Sequence, residues 1–510
     1  MARVGRRAFL GLGAAGMAAA ACDSSPSRSA GRPATPGRRR PVQENELPGD
    51  PDWAIRQPGA PDAIMGYAGK ASVLPGEPFP LFVSTTARSF RITAFRVGWY
   101  RGDGARTVWT SGNLPGRQQN GAELAQATNT ISTSWDPVTD VRTDDWPEGC
   151  YLLRLDAETG AQRYLPVTVR SASTAGKIVL RNSVATWQAY NTWGGYDLYV
   201  GPETGGPGTG YPARSLAVSL DRPYDLNGAA MFLTYERNVV KLAERLGLPL
   251  AYVTSMDIAA HPDLLDGASA LISPGHDEYW SPPERAHVTA ARNAGVNLAF
   301  LGANAMFRRT RIEGRLVVCY KTSYADDPLY GVDNALVTSD WRDAPDPDPE
   351  SSLTGTLYEG YPAVAPFVVV APDSWLFAGT GATEGTSFPS LVGVEYDRVN
   401  PGYPVQRPIQ VLSHSPLTCQ GVPSYADSAY YTHAGGAAVF NAGTMRWVEA
   451  IYGDRPHGIG AAATAFVRRV TANVLRAFAD GPAAARYPAR DNLAAMHEYA
   501  GDPISPGNQQ

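Results

Sequence analysis

A chain of 510 residues, 44% hydrophobic and 18% charged, is long enough for two or three domains with sizeable cores. Lys and Arg number 44 against 49 Asp and Glu, a net charge of -5 that supplies no basic surface for nucleic acid. Basic residues cluster only near the start, at Arg3, Arg6 and Arg7 and at Arg38, Arg39 and Arg40, where targeting accounts for them.

Arg6-Arg7-Ala8-Phe9-Leu10, followed by a Gly/Ala-rich run to Ala21, reads as a twin-arginine export signal within residues 1–22, too short for a membrane span. Cys22 follows three alanines and resembles a lipobox cysteine, although Ala19 stands where Leu is usual; the alternatives are a lipid anchor at Cys22 and plain cleavage near the alanines. The expected location is therefore the cell surface or the exterior, with membrane contact only through that anchor. This route carries proteins already folded, often around a cofactor, which strengthens the expectation of a bound metal. Residues 23–60 are rich in Pro, Ser and Arg without an apolar period, and read as a disordered tether.

From 61 to 172 the chain shows short apolar or alternating runs, at 71–74, 81–83, 90–97, 151–155 and 164–169, separated by Gly, Pro and Asp turns. That pattern predicts an antiparallel β-sandwich of immunoglobulin-like type. From 173 to 480 the rhythm becomes α/β. Buried-strand runs are predicted at 177–180, 215–219, 250–254, 268–272 and 296–301, with helices over 230–246, 283–294 and 461–479 and Gly247 and Gly295 as helix stops. Strand and helix in alternation predict a parallel sheet with right-handed crossovers. Residues 481–510 form a polar, weakly patterned tail.

Cys150, Cys319 and Cys419 lack zinc-site spacing. Either Cys319 pairs with Cys419 in an oxidising compartment, or all three are small buried apolar residues.

The richest chemistry follows the run Ala268–Ile272, in Ser273-Pro274-Gly275-His276-Asp277-Glu278-Tyr279-Trp280. Ligands bind beyond the carboxyl ends of strands in open α/β sheets, so this loop is a candidate site. Two further strand exits are expected to face it: the segment with Trp187, Tyr190 and Trp193, and Asp221-Arg222-Pro223-Tyr224. Phenolate and carboxylate oxygens are hard donors that suit ferric iron, while the plain alternative is that Tyr190, Trp193 and Tyr224 pack the top of the sheet. Covalent catalysis finds no support at Gly302-Ala303-Asn304-Ala305, where an elbow nucleophile would be Cys or Ser. There is also no P-loop, dinucleotide fingerprint or HExxH motif.

Five ordered motifs, Tyr190–Gly195, Ser219–Tyr224, Gly275–Ser281, Leu301–Asn304 and Gly393–Arg398, together resemble the large, beta subunit of N,N-dimethylformamidase and its relatives, over about residues 60–480. The resemblance implies a sheet domain like that of class I glutamine amidotransferases and hydrolysis of a small amide or formamide. It implies mononuclear iron held by two tyrosines and a glutamate. By motif these are Tyr190, Glu278 and Tyr224, with Tyr211 as the alternative second tyrosine. His276 would hydrogen-bond beside the metal or transfer protons, and His276 or Glu395 would pass a proton to the leaving amine. A small partner subunit or a homo-oligomer is implied in the same way. The export signal distinguishes this chain from the cytoplasmic enzyme, so dimethylformamide is not the expected natural substrate. Two rival readings stand beside it: a non-catalytic surface-binding lipoprotein and an oxygen-using iron enzyme.

Overall fold

A computed structural model describes residues 44–203, 210–453, 457–496 and 502–504. The twin-arginine motif, Cys22 and the tether up to residue 43 lie outside the described residues.

The described residues fold as a mixed α/β protein with several sheets, few long helices and, among them, no closed barrel. Its first part holds two sheets. One joins Ile64–Ala68, Pro78–Thr85 and Thr139–Arg142; the other runs Ser72–Val73, Gln162–Val169, Gly149–Ala157, Ser89–Val97, Ala105–Thr110. Successive side chains of a strand point to opposite faces, and the central strands of the second sheet bury both. Phe90, Ile92 and Ala94 on one strand, with Tyr151, Leu153 and Leu155 on its neighbour, fill a core with Leu81 and Val83 of the first sheet. Phe95, Val97, Cys150 and Leu152 turn the other way and pack with Ile178, Leu180, Val239 and Val240 of the following region. This first part thus shares a hydrophobic core with the region that follows.

Composition predicts a disordered tether to residue 60, whereas residues 44–60 dock on this first part. Trp53 is buried and its indole donates to the Asp103 carbonyl, the Asp50 amide donates to the Ala105 carbonyl, and Glu44 accepts from Tyr100 and Arg106. One aromatic anchor and a few polar contacts suffice to order a segment that has no apolar period.

The second part is built on a seven-stranded sheet in the order Leu250–Thr254, Ile178–Asn182, Ala270–Pro274, Asn297–Leu301, Ala438–Asn441, Val422–Thr432, Ile409–Cys419. The first five strands are parallel and the last two antiparallel. Both faces are covered, as parallel sheets require. Ile178, Leu180, Ile272 and Ala299 face a cluster with Phe466, Val470 and Val474 of the helix Ala461–Ala479. Val179, Val253, Leu271 and Leu298 face Ile258, Val288 and Ala291.

Two further expectations differ from the structure. The helix expected over 230–246 is two, Ala230–Tyr235 and Arg237–Arg245, broken at Glu236, whose buried carboxylate accepts from Asn182, the Ser183 amide and Trp187. The strand expected at 215–219 is Ala217–Ser219, and it pairs antiparallel with Leu316–Val318 in a separate small sheet, outside the main one. Of the two alternatives for the cysteines, the structure shows the second: Cys150, Cys319 and Cys419 are buried free thiols. None of the described helices is long and apolar enough to cross a membrane.

Candidate functional site

Where the parallel strands end, two glycines let neighbouring exits approach closely. Gly275 has φ +56 and any Cβ there would come within 2.4 Å of the Tyr235 carbonyl; a Cβ on Gly302 would lie 1.9 Å from the Gly275 carbonyl. Between them the His276–Trp280 loop is pinned by its own residues. Asp277 accepts from Ser273 at 2.5 Å and is ion-paired with Arg181, which also holds Glu284 at 2.6 Å and stacks on Trp280 at 4.5 Å. Tyr279 and Trp280 are fully buried and pair with Arg308 and Arg309. These neighbours fix Glu278 in place.

The Glu278 carboxylate is the centre of an oxygen cluster. It accepts from the Tyr190 hydroxyl at 2.5 Å, from the Tyr199 hydroxyl at 2.6 Å and from Arg308 Nε at 3.1 Å. The two hydroxyls are 3.0 Å apart and their rings stack at 4.8 Å. His276 stands between two carboxyls, its Nε2 3.7 Å from Glu278 and its Nδ1 3.7 Å from Glu395. Glu395 comes from the hairpin strand Ser387–Arg398 and accepts from Asn304 at 3.0 Å. Asn304, just after the strand Asn297–Leu301, has φ +59, a left-handed turn that Asn tolerates. Arg308 is also ion-paired with Asp340. Below the cluster, the buried Lys321 amine lies 2.9 Å from the centre of the Tyr199 ring.

Burial first, and then the Glu278 charge, pushes both phenols well above the ordinary tyrosine value. Burial also works to raise Glu278, but Arg308 foremost among its neighbours outweighs it and holds that carboxyl below the ordinary value. For Glu395 the balance is reversed: burial and then Glu278 drive it well above the usual carboxylate range, against the weaker pull of Asn304 and Arg308. Burial lowers His276 despite the opposing pull of Glu278. Without a bound cation, near neutral pH, Glu278 is therefore ionised, Glu395 is biased toward its protonated form, His276 is neutral and both phenols donate. Among the described residues no group of three His, Cys, Asp or Glu is placed to hold a metal ion; the cluster reaches three close oxygens only through its phenols. His276 Nδ1 and Asn304 Oδ1 are buried and make no hydrogen bond among the described residues.

These groups line a cavity of about 390 Å³ together with Met231, Tyr235, Tyr358, Tyr361, Val394 and Met445. Of the residues expected here, Tyr190, His276, Glu278 and Glu395 come together. Tyr224 does not join them: its ring packs edge-on against Trp187 at 6.3 Å, and it lines a different cavity with Trp193 and Met65. The Asp-Arg-Pro-Tyr motif instead contributes Arg222, buried and donating to the carbonyls of Gln188, Trp193 and Tyr196, which clamps the segment that carries Tyr190. Tyr211 lies under Arg214 at 4.2 Å and is not in the lining. The second hydroxyl is that of Tyr199, which the sequence reading passed over. Its only signal is Asp197, whose side chain accepts from the amides of Tyr199 and Val200 at 2.6 Å each and so forms a tight turn.

A mixed α/β fold with a buried phenol–carboxylate cluster at the strand ends defines the class of this protein. Within it, a sequence model described as "N,N-dimethylformamidase beta subunit-like, C-terminal" matches residues 91–458, and the chain belongs to that family. No curated protein matches it. Among solved structures, a Paenibacillus sp. cycloisomaltooligosaccharide glucanotransferase complexed with cycloisomaltoheptaose matches with 11% identity over 50% of this chain, at a TM-score of 0.14. The match spans about a third of that chain (33%), and a superposition this weak carries no argument.

Proposed function

We propose that this chain hydrolyses a carboxamide C–N bond, with an iron ion held by Tyr190, Tyr199 and Glu278. The observation that carries the reading is the convergence of those three side chains, with hydroxyl and carboxylate oxygens 2.5–3.0 Å apart, at the floor of a cavity that also receives His276 and Glu395. Two oxygens on one ion with bonds of roughly 2 Å lie about this close together. The donors are hard and anionic when ionised, which suits ferric iron, and a cation there reverses the balance that keeps the phenols protonated. Family membership supports the amide bond as the target.

When bound, the ion supplies Lewis acidity toward a water molecule and the amide carbonyl. The rest falls to the chain. Arg308 orients Glu278 through one carboxylate oxygen and leaves the other toward His276. Neutral His276 accepts the proton that water gives up as its oxygen joins the carbonyl carbon. Protonated Glu395, positioned by Asn304, supplies a proton to the nitrogen as the C–N bond breaks, and His276 returns a proton to Glu395 to reset the site. A carboxylic acid and an amine leave.

The two sheets sharing one core, followed by a largely parallel sheet, support an immunoglobulin-like module ahead of an amidotransferase-like domain, with Asn304 at the elbow. Arg6-Arg7 and Ala19–Cys22 support an exported, lipid-anchored enzyme. The test of the function is metal content together with amine release from small amides. About one iron per chain is expected in the wild type, and Glu278→Ala is expected to lose both iron and turnover. Full iron content and full turnover in Glu278→Ala would overturn the proposal.

A further inference from the structure

We infer that the substrate is an amide whose nitrogen carries a bulky apolar group, aryl or branched alkyl, and that Met231, Tyr235 and Met445 receive that group. The inference rests on the amidohydrolase reading and adds the substrate class to it.

Size is the first argument. The cavity measures about 390 Å³, roughly thirteen times the volume a water molecule occupies in the liquid. That falls within the range of about 300–1,000 Å³ that holds drug-sized ligands. An amide bearing only methyl groups would leave most of this space to water.

Polarity is the second. Beside the hydroxyl, carboxyl and imidazole groups, the lining includes the thioethers of Met231 and Met445, the aliphatic Val394 and the rings of Tyr235, Tyr358 and Tyr361. Apolar surface of this kind gains by covering an apolar substituent. Arg308 is the one guanidinium or ammonium group among the described lining residues, and it is engaged by Glu278 and Asp340. An anionic substituent therefore finds no partner there.

Position is the third. The Tyr235 ring lies 5.5 Å from His276, its hydroxyl reaches the Met445 sulfur at 3.6 Å, and the Met445 amide donates to the Glu395 carbonyl at 3.3 Å. The apolar wall thus begins beside the two groups that handle the proton of the leaving nitrogen. A substituent on that nitrogen lies along the wall, and the acyl group faces the floor closed by Tyr190 and Tyr199. Hydrolysis adds the water oxygen to the carbonyl carbon, breaks the C–N bond, places a proton on the nitrogen and releases a carboxylic acid and an apolar amine. No oxidant or reductant enters.

The experiment compares kcat/KM of the full metal-loaded chain for N-phenylformamide and N-methylformamide, in the wild type and in Met231→Trp, which fills the wall. The wild type is expected to favour the phenyl compound at least ten-fold, and Met231→Trp to bring the ratio near one. Equal or better turnover of the methyl compound by the wild type overturns the substrate class and leaves the amidohydrolase reading standing. An unchanged ratio in folded Met231→Trp overturns the assignment of the wall. No turnover of either amide by iron-loaded wild type overturns this inference and the amidohydrolase reading together. The wild-type ratio needs no variant, so the inference is tested even if Met231→Trp fails to fold.

Discussion

Tyr199 donates to Glu278 across 79 residues of sequence, at 2.6 Å, and both line one cavity with Met231 and Met445. This bond joins the first crossover of the sheet to the loop after its third strand in the chain, and it gives the oxygen cluster its third member. Two phenols on one buried carboxylate are costly unless each polar atom is satisfied, and here Arg308 completes the carboxylate.

The pH profile follows from His276. Burial lowers its pKa from the ordinary 6.5, so it stays neutral, and able to accept a proton, from above neutrality down to some point below that value. Glu278, also lowered, remains ionised over the same range. Activity is therefore expected to hold through pH 6.5 and to fall only on the acid side of it. His276→Gln should cost about 10²–10⁴-fold in kcat and remove the acid limb that His276 sets. An acid limb centred above 6.5 in the wild type, or one unaltered in His276→Gln, would count against the base assignment.

Stability should also depend on pH through Glu284. One arginine, Arg181, serves both Asp277 and Glu284. Burial raises Glu284 from 4.5 to about 8; Arg181 works against the rise and Asp277 adds to it. The folded state therefore holds a proton that the unfolded chain has released between those two values, and stability is full below 4.5 and lost as pH rises through about 8. Thermal unfolding followed from pH 5 to 9 should show a falling midpoint. Glu284→Gln, which keeps a neutral side chain against Arg181, should flatten part of that fall; identical slopes would refute the assignment.

Arg222 offers a prediction about the scaffold. Its guanidinium is buried and donates to three backbone carbonyls around Tyr190, at Gln188, Trp193 and Tyr196. Arg222→Met strips those acceptors of their donors, at about 1–3 kcal/mol for each buried group left unsatisfied. Denaturant unfolding should show a loss of several kcal/mol, and iron affinity should weaken because the segment carrying Tyr190 loses its clamp. A change below about 0.5 kcal/mol, the usual size for surface substitutions, would contradict this role.

What could be read from the sequence, and what could not, follows from the range of the interactions. The parallel strands at 178–182, 250–254, 270–274 and 297–301 were legible because local apolar runs with glycine stops encode them. Tyr190, His276 and Glu278 were legible as residues at strand exits, and they do meet. Tyr224 was misplaced because Ala217–Ser219 has the composition of a buried strand whichever sheet it joins. Its pairing with Leu316–Val318, roughly a hundred residues away, decides where its exit points, and no local pattern records that. Tyr199 was passed over for the opposite reason. It is one of several aromatics in a crossover loop, and only the Asp197 turn directs its hydroxyl to Glu278. The docking of residues 44–60 was hidden by their composition, because one buried indole outweighs a run of prolines and polar residues.

The measurement closest to the central claim is the visible absorption of the iron-loaded protein, in wild type, Tyr199→Phe and Tyr224→Phe. Phenolate bound to ferric iron gives a charge-transfer band that carboxylate and imidazole alone do not. The wild type and Tyr224→Phe are expected to show the same band at equal iron content, and Tyr199→Phe is expected to lose intensity or iron. An unaltered band in Tyr199→Phe together with its loss in Tyr224→Phe would contradict the account and return the second tyrosine to the Asp-Arg-Pro-Tyr motif.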